Sequence, residues 1–434
     1  MVVSLLTTIV VVFLVILYVY KRSRRDKEII LQLLTSSSKT KDGHKGENAE
    51  NTLNTFANSE CSLRIPSTAR MINSSSSSRN SRQSEYTSTP TRHRDFKAIL
   101  RSISYTKKRE ISRNAFTVGK EIGKGNFGSV YIGKLNWIHG SGTKVAIKSI
   151  PISMNEKELR DALIEVKNMG DVNPHLNLVS MIGSCTSEAK SKGKIWLILE
   201  FCYYGDLKQY LKNNKTQIIK GGINEPINSR CLVKWAYDVA NGMEYLAQKQ
   251  IMHGDLAARN ILLDKNPLGL GYPVGKIADF GLSKKIYDNA MYEKRSRNYL
   301  PWKWMALEYL TDEYFTLASD VWSFAVLFWE MLAFGKEPYG QQEYNEVLDQ
   351  LAKGNRLSCP GHVKNITNWS AQNLYKKIAE ACFSATPGSR ASFSEIVGII
   401  ALDLTTEEKE CYQKMVQTYQ STRANNYLKL HESK

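Results

Sequence analysis

The sequence predicts an α+β domain carried behind a single transmembrane helix and an unstructured linker, and three observations predict it. An uncharged apolar run opens the chain, a stretch crowded with Ser, Asn and Thr follows from about Thr35 to Thr91, and only afterwards do strand-like and helix-like patterns alternate. At 434 residues and 42% hydrophobic composition the chain can hold one large domain with flanks.

From Val2 to Tyr20 the only polar interruptions are the hydroxyls of Ser4, Thr7, Thr8, Tyr18 and Tyr20. At 1.5 Å per helical residue the run reaches about 28 Å, enough for a bilayer core. Its fourteen Val, Leu, Ile and Phe residues favour insertion by about 4 to 8 kcal/mol. A cleaved secretory signal would need basic residues before the run and a small-residue cleavage site after it, and neither is present. Instead Lys21, Arg22, Arg24 and Arg25 follow, which orients everything after them to the cytoplasm. A single-pass anchor over 1–20 with no ectodomain before it is therefore expected, in the plasma membrane. The sequons at Asn73, Asn365 and Asn368 are then expected to stay unmodified.

Residues 21–113 read as a disordered linker, because they lack both helical and strand periodicity and offer little apolar surface to offset chain entropy. The formal net charge of +17 raises the question of nucleic acid, but 19 Lys/Arg against 9 Asp/Glu fall within 21–110, beside the apolar run. Anionic lipid is the natural counter-charge there, and no nucleic-acid partner is expected. The seven cysteines are scattered without the short paired spacing of a zinc site or disulfide framework, and read as reduced thiols.

Strand-like Phe116 to Ile122 leads into Gly123-Lys-Gly-Asn-Phe-Gly128-Ser-Val130, and a second strand-like stretch carries Val145-Ala-Ile-Lys148. Glycines at 123, 125 and 128 let backbone N–H groups approach phosphate oxygens, while Lys148 supplies a cation. A dinucleotide fingerprint has similar glycines but needs a helix directly after the loop; here strand continues. A helical stretch from Glu156 to Met169 follows, then a buried strand, Ile195-Trp-Leu-Ile-Leu-Glu200-Phe-Cys202.

With His253-Gly-Asp255-Leu-Ala-Ala-Arg259-Asn260 and Lys276-Ile-Ala-Asp279-Phe-Gly281 added, the chain resembles the protein tyrosine kinase family, and in particular growth-factor receptor kinases of the platelet-derived, vascular endothelial and fibroblast types. The resemblance implies a two-lobed kinase fold over 114–403, with a small antiparallel N-lobe sheet, a mainly helical C-lobe and a tail over 404–434. It also implies transfer of the ATP γ-phosphate to protein tyrosine, with Mg²⁺, or Mn²⁺ in its place. By the same resemblance Asp255 accepts the substrate proton, Asn260 and Asp279 bind metal, and Lys148 pairs with a helix glutamate. Glu165 is preferred for that pairing over Asp161 because the segment after it, His175 to Gly183, matches the receptor pattern. ATP contacts are implied for Ile122, Gly123, Lys124, Gly125, Asn126, Phe127, Gly128, Ser129 and Val130. Ala146, Lys148, Leu199, Glu200, Cys202 and Leu262 complete that set, with Leu199 as a gatekeeper that narrows the rear pocket. Tyrosine as acceptor follows from Arg259, four residues after Asp255, and from the platform Leu300-Pro-Trp-Lys-Trp-Met-Ala306. Asp320 is expected to anchor the catalytic-loop backbone, and Arg390 to pair with Glu308.

Gly254 departs from the family, which has arginine there to clasp a phosphorylated activation loop. Activity is expected to depend less than usual on phosphorylation of Tyr292, unless Arg295 or Arg297 substitutes as the clasp. The rival readings are a nucleotide-binding pseudokinase scaffold and a Ser/Thr kinase. Phosphotyrosine-reading adaptors are candidate partners through Tyr86 and Tyr105 in the linker and Tyr412, Tyr419 and Tyr427 in the tail, where Tyr427-Leu-Lys-Leu loosely resembles a docking sequence.

Overall fold

Residues 109–125, 128–136, 142–152, 156–222, 225–279, 284–285, 301–312, 314–365 and 370–431 are described by the computed structural model. The segment expected to span a membrane over 1–20, nearly all of the linker, and Tyr292 lie outside them. No helix among the described residues is long and apolar enough to cross a membrane.

The glycine-rich hairpin is built from β1 (Phe116–Gly125) and β2 (Gly128–Leu135), which close with Gly125 opposite Gly128. Next come β3 (Thr143–Pro151), helix α1 (Glu156–Asp171), β4 (Met181–Cys185), the short α2 (Ala189–Lys192) and β5 (Lys194–Glu200). The sheet is antiparallel throughout, in the order β1-β2-β3-β5-β4. Alternation sends Val145, Ile147, Trp196 and Ile198 to one face, where Phe116 and Leu135 complete a small outer core. Lys148 therefore lies on the opposite face, towards α1. Along α1, Ala162, Leu163, Val166 and Met169 form the apolar stripe, and Glu165 shares their buried side.

The larger lobe begins with β6 (Gly205–Asp206), α3 (Leu207–Asn213), α4 (Lys215–Lys220) and the long α5 (Arg230–Gln248). Three short pieces then shape the cleft floor: β7 (Ile251–Met252), β8 (Ile261–Asp264) and β9 (Val274–Ile277), with β10 (Lys284–Lys285) paired to β7. Residues 265–273 form a long turn that joins two antiparallel strands, β8 and β9. Helices α6 (Leu307–Asp312), α7 (Leu317–Leu332), α8 (Tyr344–Ala352), α9 (Ala371–Cys382) and α10 (Phe393–Ala401) complete the lobe. In α7 the run from Val321 to Phe328 is buried on every side, so the helix is the lobe's central pillar.

Both ends of the folded unit extend beyond the expected 114–403. At the front, the Ile111 N–H donates to the Ser184 carbonyl at 2.7 Å, and the Glu110 carboxylate accepts from Thr186 N–H and O–H at 2.7 and 2.8 Å. At the back, residues 406–431 form α11 (Thr406–His431), and Leu404, Tyr412, Met415 and Tyr419 join the same core as α5. Spacing at 412, 415 and 419 places these side chains on one helical face, a pattern the tail reading overlooked.

Candidate active site

Lys148 projects from the middle strand of the sheet, opposite Val130 on β2 and Leu197 on β5. Its ammonium lies 2.9 Å from Glu165 Oε1 on α1 and 2.9 Å from Asp279 Oδ1 just past β9. Burial by itself would lower this lysine's pKa, but the two carboxylates outweigh it and hold the group above the ordinary lysine value. Of the two acids weighed for this partnership, Glu165 occupies it; the Asp161 side chain lies outside the described residues.

Asp255 follows β7 in a loop held by buried polar groups. The Asn260 amide donates to Asp255 Oδ2 at 2.8 Å and to the Asp255 carbonyl at 2.7 Å, and the Arg259 guanidinium bonds to Asp255 Oδ1. The Asp255 N–H donates to His253 Nδ1 at 3.1 Å, so the imidazole proton sits on Nε2, 3.0 Å from the Ala278 carbonyl. The Ala278 N–H in turn donates to the Asn260 carbonyl at 2.8 Å. One continuous hydrogen-bonded path therefore joins Asp255, Asn260 and the residue before Asp279. Burial raises the Asp255 pKa, opposed chiefly by the Arg259 charge.

Asp320, fully buried in α7, accepts from the His253 N–H at 2.7 Å and the Gly254 N–H at 2.9 Å. Burial pushes its carboxyl up to about 6 against the pull of His253 and those two amides. Gly254 has φ +80°, a region costly for residues with a Cβ, so the glycine at this position suits the turn that offers both amides to Asp320. Asp279 also takes a left-handed conformation, at φ +63°. Arg390 grips Glu308 through two parallel bonds of 2.8 and 2.7 Å.

Among the predicted nucleotide contacts, Gly123, Gly125, Gly128, Ser129 and Val130 lie in the hairpin. Ile122 and Lys124 are exposed on it, and Asn126 and Phe127 fall outside the described residues. Gly128, at φ +120°, is also demanded by packing, since a Cβ there would come within 1.9 Å of the Ser149 carbonyl oxygen. Ala146 and Leu199 face each other across β3 and β5, and Leu262 on β8 is partly exposed. Cys202 is buried just past β5. The Glu200 side chain accepts the Ser180 N–H at 2.6 Å and pairs with Lys276 at 3.3 Å.

A magnesium nucleotide fits this donor set. Among the described residues no three His, Cys, Asp or Glu side chains cluster to hold a metal by themselves. Mg²⁺ characteristically takes one or two protein oxygens and completes its shell with phosphate and water, which suits Asp279 with the Asn260 amide oxygen.

Sequence reasoning passed over two residues that hold the site. Lys276 is 2% exposed and donates to the Leu176 carbonyl at 2.8 Å. Glu330, fully buried, accepts from the Ala258 N–H at 2.9 Å and from Trp304 Nε1 at 3.1 Å, tying the catalytic-loop segment to the expected acceptor platform. The signal for Glu330 was a single acid in the otherwise apolar stretch 324–332, where a buried charge needs partners.

A family model described as protein tyrosine and serine/threonine kinase matches residues 116–400. A fibroblast growth factor receptor of Ciona intestinalis is 35% identical over 301 residues, covering 66% of this chain and 38% of the relative. Fibroblast growth factor receptor 1 of Pleurodeles waltl is 36% identical over 298 residues, 66% of this chain and 34% of the relative. The receptor of Halocynthia roretzi is 32% identical over 325 residues, 70% and 40% respectively. The chain thus spans no more than 40% of the length of these relatives.

Proposed function

The chain belongs to the protein tyrosine and serine/threonine kinase family, and from that premise we propose that it is a receptor-like tyrosine kinase moving the γ-phosphate of ATP to protein tyrosine hydroxyls. The observation that supports this most is the joint grip of Glu165 and Asp279 on Lys148, hydrogen-bonded through Ala278 and Asn260 to Asp255. Bound Mg-ATP supplies the phosphoryl group and, through its metal, neutralises charge on the phosphate oxygens.

The chain's own residues supply position and charge. Lys148, kept protonated by its two carboxylates, presents a fixed cation to phosphate oxygens, and Asp279 with Asn260 offers hard oxygen donors to the metal. Asp255, fixed by Asn260 and Arg259, orients the acceptor hydroxyl and takes its proton; burial makes it a stronger base than an ordinary carboxylate. The Arg259 guanidinium lies 4.4 Å over the Trp304 ring, so the residue set that favours tyrosine is joined to a planar platform able to support a phenol ring.

Membrane anchoring through 1–20 and the basic residues after it is part of the same reading, as is recruitment of phosphotyrosine-reading adaptors. Tyr412 and Tyr419 are buried in α11, which favours Tyr86, Tyr105 and Tyr427 for that recruitment. The test is incubation of purified protein with Mg-ATP followed by phosphotyrosine and phosphoserine detection, with Asp255→Asn as control. Phosphotyrosine that disappears in the variant is the expected result. Nucleotide binding without transfer would reassign the chain to a scaffold, and phosphoserine would reassign the acceptor.

A further inference from the structure

Helix α11 begins after residue 400, where the family match ends, yet it reaches the back of the nucleotide cleft. Its foot is tied to α5: the Arg230 guanidinium donates to Glu408 Oε1 at 3.1 Å and to the Asp403 carbonyl at 2.8 Å, with Lys234 3.6 Å from Glu408. One turn on, the Tyr412 hydroxyl donates to Asn177 Oδ1 at 2.6 Å, and two turns further the Tyr419 hydroxyl meets Ser180 Oγ at 2.9 Å. Met415, between them in sequence, is fully buried in the same core.

The loop these hydroxyls reach holds two parts of the cleft. Its Asn177 end lies on β9: the Ile277 N–H donates to the Asn177 carbonyl at 2.8 Å, the Val179 N–H to the Ile277 carbonyl at 2.8 Å, and the Asn177 amide to the Gly275 carbonyl at 3.0 Å. Asp279 follows two residues after Ile277. The Ser180 end exchanges bonds with Glu200, whose backbone N–H donates to the Ser180 carbonyl at 3.0 Å. Lys276 reaches across both, 3.3 Å from Glu200 and 4.5 Å from the centre of the Tyr419 ring. Apolar cover would be provided as well by phenylalanine; the hydroxyls add direction, because a buried O–H is costly unless it meets a partner. With its oxygen engaged by Tyr412, the Asn177 amide turns its NH₂ to β9.

We propose that Tyr412 and Tyr419 are positioning residues for the nucleotide site, bracing the 176–180 loop that sets β9 before Asp279 and the Glu200 end of β5. The proposal rests on the reading of the cleft as a magnesium-nucleotide site. Docked α11 and a cleft ready for nucleotide are then two faces of one equilibrium, each favouring the other.

The test compares full-length wild type with the Tyr412→Phe/Tyr419→Phe double variant, using Mg-ADP as the calorimetric probe and hydrogen exchange as a second readout. The double variant is expected to bind Mg-ADP about three- to tenfold more weakly and to exchange the Val179 and Ile277 amides at least about tenfold faster. KM for ATP should rise while KM for a tyrosine peptide stays unchanged. Tyr375→Phe removes another buried hydroxyl, bonded to the Leu357 carbonyl at 2.7 Å, and should leave Mg-ADP affinity as it is. Wild-type affinity in the double variant, or an equal loss in Tyr375→Phe, overturns the brace. Should the double variant not fold, Tyr419→Phe alone carries the same comparison. A wild type that binds no Mg-ADP overturns the reading of the cleft, an outcome distinct from one in which wild type and variant bind alike.

Discussion

Glu330 separates the value of a hydrogen bond from the value of a charge. Both of its bonds, from the Ala258 N–H and from Trp304 Nε1, go to Oε2, while Oε1 has no hydrogen-bond partner among the described residues. Burial raises its pKa, opposed by those two donors, so the ion is held in a place that disfavours charge. Glu330→Gln can set its carbonyl oxygen where Oε2 lies and keep both bonds, replacing one unpaired atom by another. Its stability is expected within about 1 kcal/mol of wild type. Glu330→Ala strands two buried donors at about 1 to 3 kcal/mol each, a loss of about 2 to 6 kcal/mol before any cavity is counted. Urea unfolding at pH 7 measures both. The alanine variant should also lose kcat/KM on a tyrosine peptide at temperatures where it remains folded, because Ala258 precedes Arg259 and Trp304 lies under its guanidinium. A glutamine variant as damaged as the alanine one would show that the charge itself is required, and would refute the reasoning.

Three further outcomes are expected. His175 accepts the Asn177 N–H on Nδ1 at 3.2 Å and stacks on Tyr245, and burial with the nearby Lys276 charge lowers its pKa from 6.5 to about 4. A folded pKa below the unfolded one gives stability that is full above about pH 6.5 and lost as pH falls through about 4. Wild type should therefore lose about 2 kcal/mol between pH 7 and 5 that His175→Phe does not lose, read from urea midpoints. Tyr292→Phe should lower kcat/KM less than about tenfold, roughly 1.4 kcal/mol, because Gly254 has no side chain to clasp a phosphate on the activation loop. A Cβ at Gly133 would lie 2.1 Å from Ile147 Cδ1 and 2.8 Å from the Thr117 carbonyl oxygen, so Gly133→Ala should cost about 1 to 3 kcal/mol and lower the melting temperature.

The parts of the site that were legible in the sequence are those whose chemistry and spacing coincide. Lys148, Asp255, Asn260 and Asp279 stand in short stretches where glycine, strand pattern and polar residue type point to one chemistry, and the fold brings them into one connected set. Glu165 could be separated from Asp161 only by resemblance, because both lie on one short helix and the choice depends on which helical face meets β3. The parts that stayed hidden depend on contacts far apart in the chain. Arg230 with Glu408, Asn177 with Tyr412 and Ser180 with Tyr419 are pairings across 178 or more residues that no local pattern encodes. The end of the chain was hidden for another reason: α11 is amphipathic only along a narrow stripe, and 404–434 lie past the segment that the resemblance covers.

The three bonds at Glu110 and Ile111 settle where a pull on the preceding chain enters the domain. They fasten the chain to the Ser184–Thr186 end of β4, one of the two edge strands of the sheet, on the far side of β5 from Lys148. Tension arriving there would peel a short seam of bonds one after another before it strained the strand that bears the lysine. The entry point therefore lies at the rim of the sheet, two strands away from the one that bears the lysine.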